Sequence, residues 1–353
     1  MTTAYTLIPG ARLPARAAPD VLARLSPAVR ERLGALGLGC EAPGLQRLSA
    51  PLHEYSPHRA WLWKVLTGRS GAPVIAPYAW IAAGGPRLDQ CFWSLDPWRV
   101  DDEGRLARVT VPDEKLPAVA SAMDAGLHAH GLRLMISGDR FFATRREAFD
   151  LEARPFEDLV GMAQEHIPHL PHLARGADAP AAIALAEELT EAVKPHVAGL
   201  EGFWLSGGGR VEPVFPPSPF RAVVTDDAVV RAWADNAGIP RSAIAPMTVR
   251  GEPRAEWPAA PEGDRIAVFA DLYEAWLRED WDAWLAALPE LLDRIDRWKS
   301  TFRGVHIDTH VMVFFGHAGA ATLLPAKKSP LAFWKKAPGQ PLESWLIESA
   351  EEE

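Results

Sequence analysis

The sequence predicts an α/β protein, a mixed sheet flanked by helices, and three observations carry that expectation. Apolar segments of period two alternate with segments of helical period. A strand–helix–strand–strand run of ferredoxin-like type occupies 90–144. The chain also has 353 residues, 48% of them hydrophobic and 24% charged, which is enough to fill a proper core. Residues 1–353 read as one compact unit, divisible into two lobes at 1–175 and 176–353, with a frayed acidic tail at 346–353.

From the N-terminus, a helix is expected around Pro19–Leu33, closing at the glycines that begin with Gly34. Ser56 and Pro57 open a second helix that ends at Gly68. In the 90–144 run, Cys91, Trp93 and Leu95 alternate with Phe92, Ser94 and Asp96 as one strand. Asp113 is the expected cap of a helix carrying Leu116, Val119, Ala120, Met123 and Leu127 as a single stripe. Gly131 ends it, and Gly138-Asp139 joins two further strands as a hairpin. A helix follows at 180–196, then a strand from Gly202 running into Gly207, Gly208 and Gly209. Arg221–Thr225 is a short strand, with Thr225 capping the helix that Gly238 closes and Asp226 and Asp227 in its first turn. Arg241–Gly263, rich in proline, is expected to be a long loop before the strand Ile266–Ala270. Leu272–Trp298 is helical, with a break expected at Pro289. Val305–Phe315 alternates as a half-buried strand, with His306, Asp308 and His310 on its polar side.

Three groups of residues have chemistry to offer. Ser206, Gly207, Gly208, Gly209 and Arg210 would give a strand end with free backbone N–H groups, a hydroxyl and a guanidinium, a set able to hold an anion. The plainer reading is a tight turn, since neither a P-loop nor a dinucleotide fingerprint fits the spacing. His306, Asp308 and His310 are acceptable ligands for a divalent transition metal. The solvated face of a strand explains them more simply, and no metal or other cofactor is expected. His166, His169 and His172 recur at three-residue spacing, but Pro168 and Pro171 favour an extended loop there.

Composition narrows the class. A net charge of −9 speaks against nucleic acid as a partner, with Lys327, Lys328, Lys335 and Lys336 the one basic cluster. No apolar run reaches the 18 or more residues of a membrane span, and the start lacks the pattern of a signal peptide. Two cysteines, Cys40 and Cys91, give no disulfide framework, so a reduced, cytoplasmic setting is expected.

Four segments resemble a known bacterial family. They are Leu52-His-Glu-Tyr-Ser-Pro-His-Arg59, Ile136-Ser-Gly-Asp-Arg-Phe-Phe-Ala143, Gly202-Phe-Trp-Leu-Ser-Gly-Gly-Gly209 and Pro330-Leu-Ala-Phe-Trp-Lys-Lys336. In this order they are similar to motifs of the proteobacterial proteins labelled RpfE-type regulatory protein or phosphoglycerate mutase. The first matches that family's helix start only in part, because Arg59 follows His58 where the family has an acid. The mutase label implies kinship with cofactor-independent phosphoglycerate mutases of the alkaline-phosphatase superfamily, which use a nucleophilic serine and two metal ions. Here Tyr5-Thr-Leu-Ile-Pro-Gly10 offers no early Asp, and Asp308-Thr-His310 is the nearest approach to a late Asp-His pair. The resemblance therefore implies a non-catalytic regulatory or interaction protein, whose partner is a protein or a small phosphorylated ligand. The enzymatic alternative is a phosphomutase or phosphatase requiring a divalent metal.

Overall fold

The structure, a computed structural model, describes residues 2–47, 56–148, 150–166, 174–212, 215–249, 252–253, 263–302, 307–317, 319–326 and 340–348. Two units emerge: 1–52 with 56–69 and 215–353, and 53–55 with 70–214, so that the second is an insertion in the sequence of the first.

The chain begins with β1 (Thr3–Ile8), α1 (Ala18–Ala23), α2 (Pro27–Leu36), β2 (Gly44–Arg47) and α3 (Pro57–Thr67). The insertion supplies α4 (Ala76–Ala82), β3 (Cys91–Val100), β4 (Leu106–Arg108), α5 (Leu116–Ala129), β5 (Arg133–Ser137), β6 (Arg140–Arg145), α6 (Ala179–Val193) and β7 (Gly202–Arg210). The last third adds β8 (Phe220–Val224), α7 (Ala228–Asn236), β9 (Ile244–Ala245), β10 (Thr248–Val249), β11 (Glu252–Pro253) and β12 (Asp264–Val268). It ends with α8 (Tyr273–Leu277), α9 (Trp281–Ser300), β13 (Thr309–Phe315), β14 (Gly319–Leu323) and α10 (Glu343–Leu346).

In the first unit the strand order is β2-β14-β13-β1-β12-β8-β9. The strands from β13 to β9 run parallel, and β14 is antiparallel to both its neighbours. Helices cover both faces. On one face Ile8 and Phe314 line a small apolar pocket together with Leu33 of α2 and Trp284, Leu288 and Ile295 of α9. On the other face Tyr5 and Phe315 contact Trp61 of α3, with ring centroids 6.1 and 6.3 Å away, and Trp63 packs on Trp233 of α7. The half-solvated strand expected at 305–315 is thereby corrected. Val311, Val313 and Phe315 are buried, and so are Met312 and Phe314 behind them, as a central parallel strand requires. Val305 and His306 lie outside the described residues.

The second unit orders its strands β5-β6-β3-β7, all antiparallel, with β4 continuing beside β3. The run β3–α5–β5–β6–α6–β7 thus completes the ferredoxin-like element with a second helix and a fourth strand. Val119, Met123 and Leu127 of α5 are fully buried against Leu185 and Leu189 of α6 and Trp93, Leu95 and Leu205 of the sheet. Each such side chain contributes about 1.5–3 kcal/mol.

Local chemistry moves several expected boundaries. The helix around 19–33 splits, because Ser26 accepts the Val29 N–H at 3.3 Å and Pro27 starts α2 afresh. α5 opens at Leu116 after Lys115, with a proline in its first turn, and Asp113 is not its cap. Asp227, not Thr225, caps α7, accepting from Val229 and Val230. The break expected at Pro289 falls at Glu279, whose φ is 51°, and Asp280, which caps α9 by accepting from Ala283. Pro289 stays inside α9. A mid-helix proline costs about 3 kcal/mol, but buried Trp284, Leu288, Leu291, Leu292 and Ile295 flank it, at about 1.5–3 kcal/mol apiece. No helix among the described residues is long and apolar enough to cross a membrane.

Candidate functional site

The glycine block is not the tight turn expected. Ser206–Arg210 continues β7 along β3, with a register shift that pairs Ser94 with Ser206 but Phe92 with Gly209. The extra residue is a bulge, and the glycines are there because other side chains press on the backbone. A Cβ on Gly208 would stand 2.2 Å from the Trp93 indole nitrogen, and one on Gly209 2.6 Å from Val74. Gly207 adopts φ +64° while its carbonyl accepts the Ile75 N–H at 3.0 Å. Ser206 is buried, and its hydroxyl has no hydrogen-bond partner among the described residues. Arg210 reaches Asp89 at 3.2 Å and the Arg146 carbonyl at 2.6 Å.

Asp308 and His310, the described strand residues of the second group, have separate occupations. Asp308 accepts the Thr2 N–H at 2.6 Å and so ties down the start of β1. His310 lies 2.8 Å from the Thr6 hydroxyl and edge-on to Phe302. Burial, with Lys299 nearby, pushes its imidazole down to about 4. The side chain of His166 lies outside the described residues, as do His169, His172 and the four lysines. Among the described residues no group of three or more His, Cys, Asp or Glu side chains is placed to hold a metal ion.

Parallel α/β sheets collect ligands at the carboxyl ends of their strands, and in the first unit polar side chains crowd that crest. Asp226 and Asp227 follow β8, Asp271 follows β12, and His317 follows β13. Arg294 of α9 pairs with Asp271 and lies 3.9 Å from Asp226, with its guanidinium over the Phe269 ring. Asp226 also accepts the Thr248 N–H and hydroxyl at 2.9 and 3.0 Å. Arg59 holds Asp227 at 3.1 Å. His58 packs edge-on against Tyr273 at a centroid distance of 4.7 Å, and the His317 ring lies tilted against Trp276 at 4.1 Å. Burial raises the Asp271 carboxyl above its usual range, although Arg294 opposes the shift. Sequence reasoning met Asp226 and Asp227 only as helix-start acids and passed over Asp271 and Arg294. The available signal was an acid within three residues of an apolar strand's end.

Gly10 makes the crest tight. It has φ +70°, and a Cβ there would stand 2.9 Å from the Tyr273 Cα and the Trp276 Cβ. Gly10→Ala should therefore cost about 2–3 kcal/mol, read as a lowered urea midpoint. An unchanged midpoint would mean that the crest yields.

The second unit holds a charged cluster of its own. Asp96, buried on β3, receives Arg108 at 2.6 Å, and Glu157 receives Arg108 at 3.4 Å and Arg140 at 2.5 Å. Burial first, then the charge of Glu157, pushes the Asp96 carboxyl up to about 7 against the pull of both arginines. Its Oδ2 and the hydroxyls of Ser94 and Ser206 have no partner among the described residues. The cluster fastens the three-residue 3-10 turn Phe156–Asp158 to the sheet.

No protein-family model matches the chain, and no curated protein does. Among solved structures it is similar to the PH0037 protein from Pyrococcus horikoshii, with a TM-score of 0.44 and 11% identity, over 96% of this chain and 91% of that one. It is also similar to the cofactor-independent phosphoglycerate mutase from Thermoplasma acidophilum, with a TM-score of 0.40 and 11% identity, over 92% of this chain and 89% of that one.

Proposed function

We propose that this protein is a non-catalytic regulatory or interaction protein of the bacterial cytoplasm, of the RpfE-type kind its motifs resemble. The observation that supports this reading is the pairing at the crest. Asp226 and Asp271 share Arg294, and Asp227 is held by Arg59. Guanidinium groups thus already balance the negative charge a divalent cation would require. A two-metal phosphoryl-transfer centre needs several uncommitted carboxylates and imidazoles converging on two points. These acids do not fit that requirement, and they serve instead to anchor α3, α7 and α9 to the strand ends. Both cysteines are free, in keeping with a reduced compartment. The binding partner is a protein or a small phosphorylated ligand.

Elemental analysis after dialysis against manganese, magnesium or zinc tests the reading, together with assays of phosphate release and of phosphoglycerate isomerisation. The expected result is no stoichiometric metal and no turnover above background. Bound metal at about two ions per chain, with turnover abolished by Asp271→Asn, would overturn it.

A further inference from the structure

Within the second unit, α6 and the edge strand β7 leave a cavity of about 440 Å³ between them, in the size range of small-molecule sites. The sequence of α6 explains the space. Ala182, Ala186 and Thr190 recur every fourth residue and share one side of the helix, while Leu185 and Leu189 beside them fill the core. Gly202 on β7 adds no side chain, and the cavity continues around this edge strand, lined by Phe203 on the sheet face toward α6 and by Trp98 and Trp204 on the other face. The Trp204 indole is fixed by its N–H, which donates to the Arg154 carbonyl at 2.7 Å.

The lining is also unequal in charge. Glu187, Glu191 and Glu201 are exposed at the cavity, against Lys194 alone. Glu187 and Glu191 enter no ion pair among the described residues, whereas Glu188, one position along, reaches His130 at 2.8 Å. Indole and phenyl faces attract cations, and so do carboxylates; an anion would meet repulsion from both. We propose that this cavity binds a small amphiphilic ammonium ion, its apolar part over Ala182 and Ala186 and its cationic head among the aromatic rings and glutamates. The proposal is independent of the reading of the crest.

Calorimetry with three probes of one chain length tests it: hexyltrimethylammonium, 1-hexanol and hexanoate. The cation should bind at one site, about tenfold more tightly than the alcohol, with hexanoate weakest. Ala186→Trp, which fills the cavity, should abolish binding. The double variant Glu187→Gln/Glu191→Gln should lose about fivefold for the cation and nothing for the alcohol. Hexanoate binding as well as the cation would overturn the proposal, as would no cation binding up to about 1 mM. Undiminished affinity in a folded Ala186→Trp would do the same. Should that variant fail to fold, the surface double variant decides, and unchanged cation affinity there refutes the proposal.

Discussion

Replacing Arg294 by alanine should cost about 3–5 kcal/mol near neutral pH, because it strands a buried carboxylate. Asp271 is largely enclosed, its charge disfavoured by burial and favoured chiefly by Arg294. Without the guanidinium the folded-state pKa of Asp271 rises further, while the unfolded chain keeps the ordinary value. A carboxyl whose folded pKa is raised binds its proton more firmly when folded, so stability falls as pH rises through the window between the two values. The loss should be small near pH 4 and full near pH 8, as read by urea unfolding at both. A loss equal at the two pH values would assign Arg294's role to packing over Phe269. The double variant Arg294→Met/Asp271→Asn should recover part of the loss, since an uncharged pair of similar volume has no desolvation penalty to meet.

Asp96→Asn and His310→Gln should tilt the pH profile of stability in opposite directions. Asp96 titrates at about 7 when folded against an ordinary 3.8, so the native protein contributes less stability as pH rises across that span. His310 titrates at about 4 against 6.5, so its contribution, full above the unfolded value, is lost as pH falls through that interval. Each effect amounts to about 3–4 kcal/mol at its limit, and over most of the shared span they oppose one another. Relative to the parent, Asp96→Asn should gain stability from about pH 4 to pH 7, and His310→Gln should gain on acidification below about pH 6.5. Urea midpoints at four pH values check both. Profiles parallel to the parent's would show that the two groups titrate normally.

Much of the frame was legible in the residues, since it rests on short-range chemistry. The hairpin at Gly138-Asp139 and the α5 stripe are local patterns, and they appear where expected. The helix from Pro57 to Gly68 does so as well. The glycine block was misread because what decides it is distant in sequence: Trp93 and Val74 press on Gly208 and Gly209 from other segments. For the same reason the crest stayed hidden. Asp226, Asp271 and Arg294 belong to three separate elements, and no spacing rule links an acid after one strand to an arginine four turns into a later helix. Pro289 shows local propensity yielding to tertiary burial on both sides of it.

The placement of β1 has a consequence for how the protein is made. It lies between β12 and β13, the Thr3 N–H bonding an aspartate 261 residues downstream and the Thr2 N–H one 306 residues downstream. At about 5–20 residues per second, a ribosome needs roughly 13–50 s after making β1 to supply its first neighbour. The contacts of the inserted unit span far less of the chain and can form in the meantime. Loop closure over such distances is slow, and until it happens Leu7 and Ile8 have no sheet to join. β1, made before every other described strand, is thus among the last of them to be paired, and a nascent chain that stalls before β12 and β13 are complete presents it, unshielded, to chaperones and to its own copies.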